Sequence, residues 1–138
     1  KNPTINFESQ LFHEYDGHIE NIYVFESEDD RGVPIIRKIK QKYEGQDDIR
    51  IVFSGKATTC SQKIFNMVAG VDACSKHSRF VYFLDNSTRC MRPTLQRLVD
   101  RMHGSSDCIA ASGYPLDVAP DLTNIGSWTI VSAARMGV

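Results

Sequence analysis

Short runs of β-branched and aromatic residues alternate along this chain with stretches whose apolar residues recur every three or four positions, and that alternation narrows the fold to the α/β class. Residues 19–25 (IENIYVF) read as a first strand and residues 49–53 (IRIVF) as a second, which Ser54-Gly55 ends. Residues 80–84 (FVYFL) read as a third strand, apolar enough to be covered on both faces, and residues 108–111 as a short fourth. Between them, Ile35, Ile36, Ile39 and Tyr43 mark a helix over residues 33–43. Ser61 is the expected N-cap of a helix running to about Ser75, with Ile64, Met67, Val68 and Val71 at helical steps. Pro93 suits the first turn of a last helix marked by Leu95, Leu98, Val99 and Met102. Strand and helix in alternation imply a mainly parallel sheet, and ligands of such sheets bind beyond the carboxyl ends of the strands.

That rule gathers three segments at one edge: residues 26–30, 54–63 and 85–89. Composition sets what they can do. The chain has 138 residues, 41% of them hydrophobic, enough for one domain with one core. Sixteen basic and seventeen acidic residues leave a net charge of -1, so no chain-wide field points to nucleic acid or to an anionic membrane surface. Any anion site is therefore local. Cys60, Cys74, Cys90 and Cys108 lie 14 to 18 residues apart, without the close pairs of zinc and redox motifs, and read as reduced thiols. His13, His18, His77 and His103 share no metal-ligand spacing. No apolar run is long enough to span a bilayer, and the N-terminus lacks the order of a signal peptide.

In the first segment Glu26, Glu28, Asp29 and Asp30 follow a strand directly, where carboxylates accept hydrogen bonds from a base or a ribose; a solvated acidic turn is the plainer alternative. The second carries Lys56 and Lys63 around a helix start. A helix dipole disfavours a cation in the first turn by a few tenths of a kcal/mol, about 0.3 or more. A diphosphate held between the helix N-terminus and the two lysines reverses that penalty, while solvation of both side chains is the alternative. No GxxxxGK[ST] P-loop is present. In the third, an apolar run ends on Asp85, which either joins a divalent cation to phosphate or caps its own turn. Asn86-Ser87-Thr88 matches a glycosylation acceptor by chance. Tyr114 and Trp128 either stack on a sugar or base or pack at a rim.

Taken together, TTCSQKI, the strand-terminal FLD with an arginine four residues on, and GYPLD at residues 113–117 resemble the ceramide glucosyltransferase family, over residues 19–127. TTCSQK is closest to its plant and microbial branch, and Lys56, Lys63, Ile64 and Asn66 match positions the animal branch shares. The resemblance implies a Rossmann-like glycosyltransferase type-A fold, binding a nucleotide-diphospho-sugar on a mainly parallel sheet. It implies inverting transfer of glucose from UDP-glucose to a ceramide-like lipid, in sphingolipid and glycolipid synthesis. The expected setting is a cytosol-facing domain of a membrane-anchored parent in the Golgi or ER, or in a bacterial inner membrane.

Carried over by residue, Glu26 and Ser27 fall at the uridine side with Asp29 and Asp30 beside them. Lys63, with Lys56 nearby, falls at the diphosphate, and Asp85 at the first aspartate of a DxD-like motif holding Mg2+ or Mn2+. Asn86 and Ser87 replace the further acidic residues of the plant pattern. The resemblance makes residues 1–138 a partial domain: the family's first strand, between residues 19–25 and 80–84 in the sheet, precedes Lys1, and the general-base aspartate and QxxRW-like motif follow Val138. The chain alone is accordingly expected to be inactive and poorly stable. The alternative is a catalytically inactive nucleotide-binding or scaffold module of the same fold.

Overall fold

β-Branched and aromatic residues in ENIYVF and DIRIVF produce the sheet seen in a computed structural model of the chain, which describes residues 3–45 and 48–111. The elements are α1 (Pro3–Ser9), β1 (Glu20–Phe25), α2 (Val33–Lys42), β2 (Asp48–Phe53), α3 (Gln62–Ala73) and α4 (Thr94–His103). Strands β1 and β2 pair in parallel, in register from Glu20 opposite Asp48 to Phe25 opposite Phe53. Their connection is α2, as a parallel pair requires.

One face of the pair carries Tyr23, Phe25, Ile49 and Ile51, and it packs with Val33, Ile36 and Ile39 of α2 and with Phe7 and Leu11 to form the core. The Phe7 and Tyr23 rings meet edge to face with centroids 5.8 Å apart. Lys42 bonds Glu8 at 2.8 Å and so ties α2 to α1. The opposite face receives α3. A side-chain carbon on Gly70 would sit 3.3 Å from Val24 Cγ2, so glycine lets this helix approach β1 closely. The stripe that marks α3 in the sequence is not the face that meets the sheet: Ile64, Val68 and Val71 are exposed.

At the amino ends of the strands, the Ser78 hydroxyl and the Ser75 amide bond the Glu20 carboxylate at 2.7 and 3.2 Å, and Arg50 pairs with it. Ser78, ahead of Ser75 and Arg50, holds that carboxyl below its ordinary range, against the opposing effect of partial burial. The end of α3 is thereby fastened to the start of β1.

Two expectations are corrected. Residues 80–84 form no ladder with β1 or β2, and Phe80, Val81, Tyr82 and Phe83 are between 38% and 49% exposed rather than covered on both faces. Residues 108–111 form no strand either, and Ile109 is 96% exposed. The reason is common to both: a strand exists through hydrogen bonds to the N–H and C=O groups of a neighbour, and among the described residues neither segment pairs with the outer edge of β1 or β2. The sheet is therefore a small parallel pair, narrower than the expected type-A sheet. Residues 113–117, Tyr114 and Trp128 lie outside the described residues.

Candidate functional site

The carboxyl ends of β1 and β2 are joined just beyond the ladder. Ser54 N donates to Phe25 O at 2.9 Å, and Gly55 N donates to Glu26 O at 3.0 Å. Gly55 has a φ of 78°, a conformation that glycine reaches without strain. The acidic segment and the lysine segment are thus hydrogen-bonded neighbours.

In the acidic segment, the Asp30 carboxylate accepts from Gly32 N at 2.7 Å and its carbonyl accepts from Val33 N, so this residue turns the chain into α2. Glu28 pairs with Arg37 on the same helix. Glu26, Ser27 and Asp29 are exposed.

The lysine segment is closed onto α3. Ser61 caps the helix, accepting from Ile64 N at 3.4 Å. Gln62, in the first turn, receives Ala57 N on its Oε1 at 2.8 Å and gives its Nε2 to Gly55 O at 2.8 Å and to Asn66 Oδ1 at 2.8 Å. Ser54 Oγ donates to Asn66 Oδ1 at 2.7 Å. Lys56 is exposed at the middle of this closed loop.

Lys63, one residue after Gln62, reaches Asp85: its Nζ lies 2.9 Å from Oδ1 and 3.2 Å from Oδ2, with the two side chains 66% and 59% exposed. Of the two sequence readings for Asp85, capping is not what the side chain does. The turn at 85–88 is closed by Thr88 N on Asp85 O at 2.9 Å, leaving the carboxylate to Lys63. The turn is held from below by α1 and the residue after it. Gln10, only 7% exposed, donates through Nε2 to Asp85 O at 3.0 Å and Thr88 O at 2.9 Å. Asn6 reaches Asn86 O, and Cys90 N reaches Ser9 Oγ.

The structure therefore brings Lys63 onto Asp85 directly, and links the Glu26 backbone to the Lys56 loop through Gly55. Sequence reasoning missed Gln62 and Gln10. Gln62 had a signal, standing four residues before Asn66 on one helix face; Gln10 had none, because its partners lie 75 and 78 residues away. Among the described residues, no group of three or more His, Cys, Asp or Glu side chains could hold a metal, and no helix is long and apolar enough to cross a membrane. The four cysteines are free, and burial raises the thiol pKa of Cys74 and Cys90. A cavity of about 250 Å³ along Arg37, Lys40, Gln41, Glu44 and Gly45 sits at the other end of α2.

A parallel pair with helices on both faces and polar loops at its carboxyl edge defines an α/β protein. Within that class, a family model described as glycosyl transferase family 21 matches residues 1–114, and the chain belongs to that family, the ceramide glucosyltransferases. The match begins earlier than the resemblance read from the motifs and takes in α1. Comparison with curated proteins and with solved structures found no match.

Proposed function

We propose that this chain is the nucleotide-sugar-binding part of an inverting hexosyltransferase of type-A fold, one that moves glucose from UDP-glucose to a lipid hydroxyl such as that of ceramide. Family membership supports glycosyl transfer. The observation that carries the site is the Lys63–Asp85 contact of 2.9 Å at the first turn of α3. An ammonium and a helix N-terminus together form a seat for phosphate charge, and a carboxylate beside them sits where a cation would bridge to phosphate.

Glu26 and Ser27, with Asp29 and Asp30, face the uridine side in this reading, while Lys56 and Lys63 take the diphosphate. Asp85 is the protein's ligand for Mg2+ or Mn2+. The donor set fits a bridging ion alone: one carboxylate, with the remaining positions left to phosphate and water, which is the coordination Mg2+ favours. Bound there, the ion would neutralise charge on the departing UDP. The parent is proposed to be membrane-anchored in the Golgi, the ER or a bacterial inner membrane, with this domain facing the cytosol and the lipid acceptor arriving from the bilayer.

Calorimetric titration of UDP into the full-length protein tests the assignment. Lys63→Ala is expected to weaken binding with or without Mn2+, and Asp85→Ala only with Mn2+, because the lysine acts on phosphate directly and the aspartate through a cation. Equal losses for the two variants in metal-free buffer would count against these roles.

One observation favours a second reading, a nucleotide-binding module without catalysis. Asp85 is already occupied by Lys63, and among the described residues no group of three or more His, Cys, Asp or Glu side chains could hold a metal. UDP binding that Mn2+ leaves unchanged would select that reading.

A further inference from the structure

We propose that Gln62 is the positioning residue that sets Lys56 for the donor's diphosphate; the proposal rests on the nucleotide-sugar reading above. Lys56 sits in the lysine segment between Gly55 and Ala57. Its side chain is exposed and its backbone lies in a loop that starts at a left-handed glycine. What fixes it is the residue on either side. Gly55 O and Ala57 N are both bound by the one amide of Gln62, each at 2.8 Å, so the peptide units flanking Lys56 are clamped by a single side chain.

The amide's orientation follows from its backbone partners. An N–H needs an acceptor and a C=O needs a donor, so Oε1 must face Ala57 and Nε2 must face Gly55. Asn66 Oδ1 takes the remaining Nε2 proton at 2.8 Å and also receives Ser54 Oγ at 2.7 Å, which locks the amide against rotation. The same Gln62 begins the helix whose next residue is Lys63. Both cations therefore hang from one rigid junction, Lys63 through the helix and Lys56 through the clamp. Preorganisation of this kind lowers the ordering cost of binding, which an unclamped lysine would meet when ligand arrives.

The test is a double-mutant cycle on the full-length protein, with metal-free UDP titration as the readout. Gln62→Met keeps length and helix propensity and removes both polar ends. Alone it is expected to weaken UDP about three- to tenfold, the equivalent of one net hydrogen bond. In a Lys56→Met background, where Lys63 still supports measurable binding, the same change is expected to cost nothing further. A residue with a merely structural role would give additive losses instead, because it would disturb Lys63 as well. Amide exchange is the second measurement: Ala57 should exchange faster in Gln62→Met while Ile36 and Ile39 in the core stay protected.

Unchanged UDP affinity in Gln62→Met, or additive losses in the cycle, overturns the role of Gln62 and leaves the nucleotide reading standing. Failure of the wild-type protein to bind UDP at all overturns both.

Discussion

Residues 3–53 and residues 80–111 contain comparable apolar runs and end up differently. In the first region IENIYVF and DIRIVF find each other across a parallel ladder, and the buried hydrophobic residues among those described, from Phe7 to Ile49, belong to it. In the second, FVYFL is at least as apolar, yet it makes no ladder with either strand and its aromatic residues stay exposed. The difference shows that apolarity nominates a strand and a hydrogen-bonded neighbour decides it.

The largest effect expected from this contrast is on stability. Ile36 is fully buried, and Ile36→Ala should cost ~2–5 kcal/mol by urea unfolding, whereas exposed Phe83→Ala should cost well under ~1 kcal/mol. Comparable costs at the two positions would break the comparison, by showing that residues 80–84 are covered in solution.

Gln10 links the two regions, and Gln10→Ala should cost ~1–3 kcal/mol, because it strips the buried donor from the carbonyls of Asp85 and Thr88. Faster amide exchange at 86–90 than at 22–25 would sharpen the picture of a second region held from outside. Unaltered exchange at 86–90 would show that the turn holds itself.

Acid should act through Glu20. Its carboxyl lies below the ordinary value of 4.5, so its contribution is complete above that pH and is lost as the pH falls through the lower folded value. Thermal melts between about pH 3 and 6 should show a decline that Glu20→Gln lacks. Parallel curves for the two proteins would remove Glu20 as the fastening of α3 to β1.

The smallest effect belongs to the candidate site. Lys63 and Asp85 form an exposed pair, and such pairs are worth ~0–1 kcal/mol, so Lys63→Ala should leave the melting temperature almost unchanged while it weakens UDP. A large loss of stability would make the pair a structural link between the regions rather than part of a binding surface.

Strand and helix periods made β1, α2, β2, α3 and α4 legible to within a few residues, since a side chain's neighbours along one face are set by local geometry alone. Ser61 was readable as a cap for the same reason, because its partner is three residues away. The 26–30 and 54–63 segments were readable as neighbours once the strands were taken as parallel, and the Gly55 to Glu26 hydrogen bond joins them. Asp85 was readable only as a residue at the end of an apolar run. That its carboxylate meets Lys63, 22 residues away, depended on a contact no local pattern encodes, whereas the turn of Asp30 onto Gly32 N is as local as the Ser61 cap.

By itself, then, the sequence determined the class of the fold, the succession of β1, α2, β2, α3 and α4, and the family, because periodicity and motif are written in residues close together along the chain. Only the tertiary structure decided which apolar runs become strands, which face of α3 meets the sheet, and that Gln10 and Gln62 hold the loops bearing Asp85 and Lys56. Those outcomes depend on partners brought together by folding. A buried amide such as that of Gln10 gains its meaning from carbonyls 75 and 78 residues away, a separation across which no sequence spacing carries information.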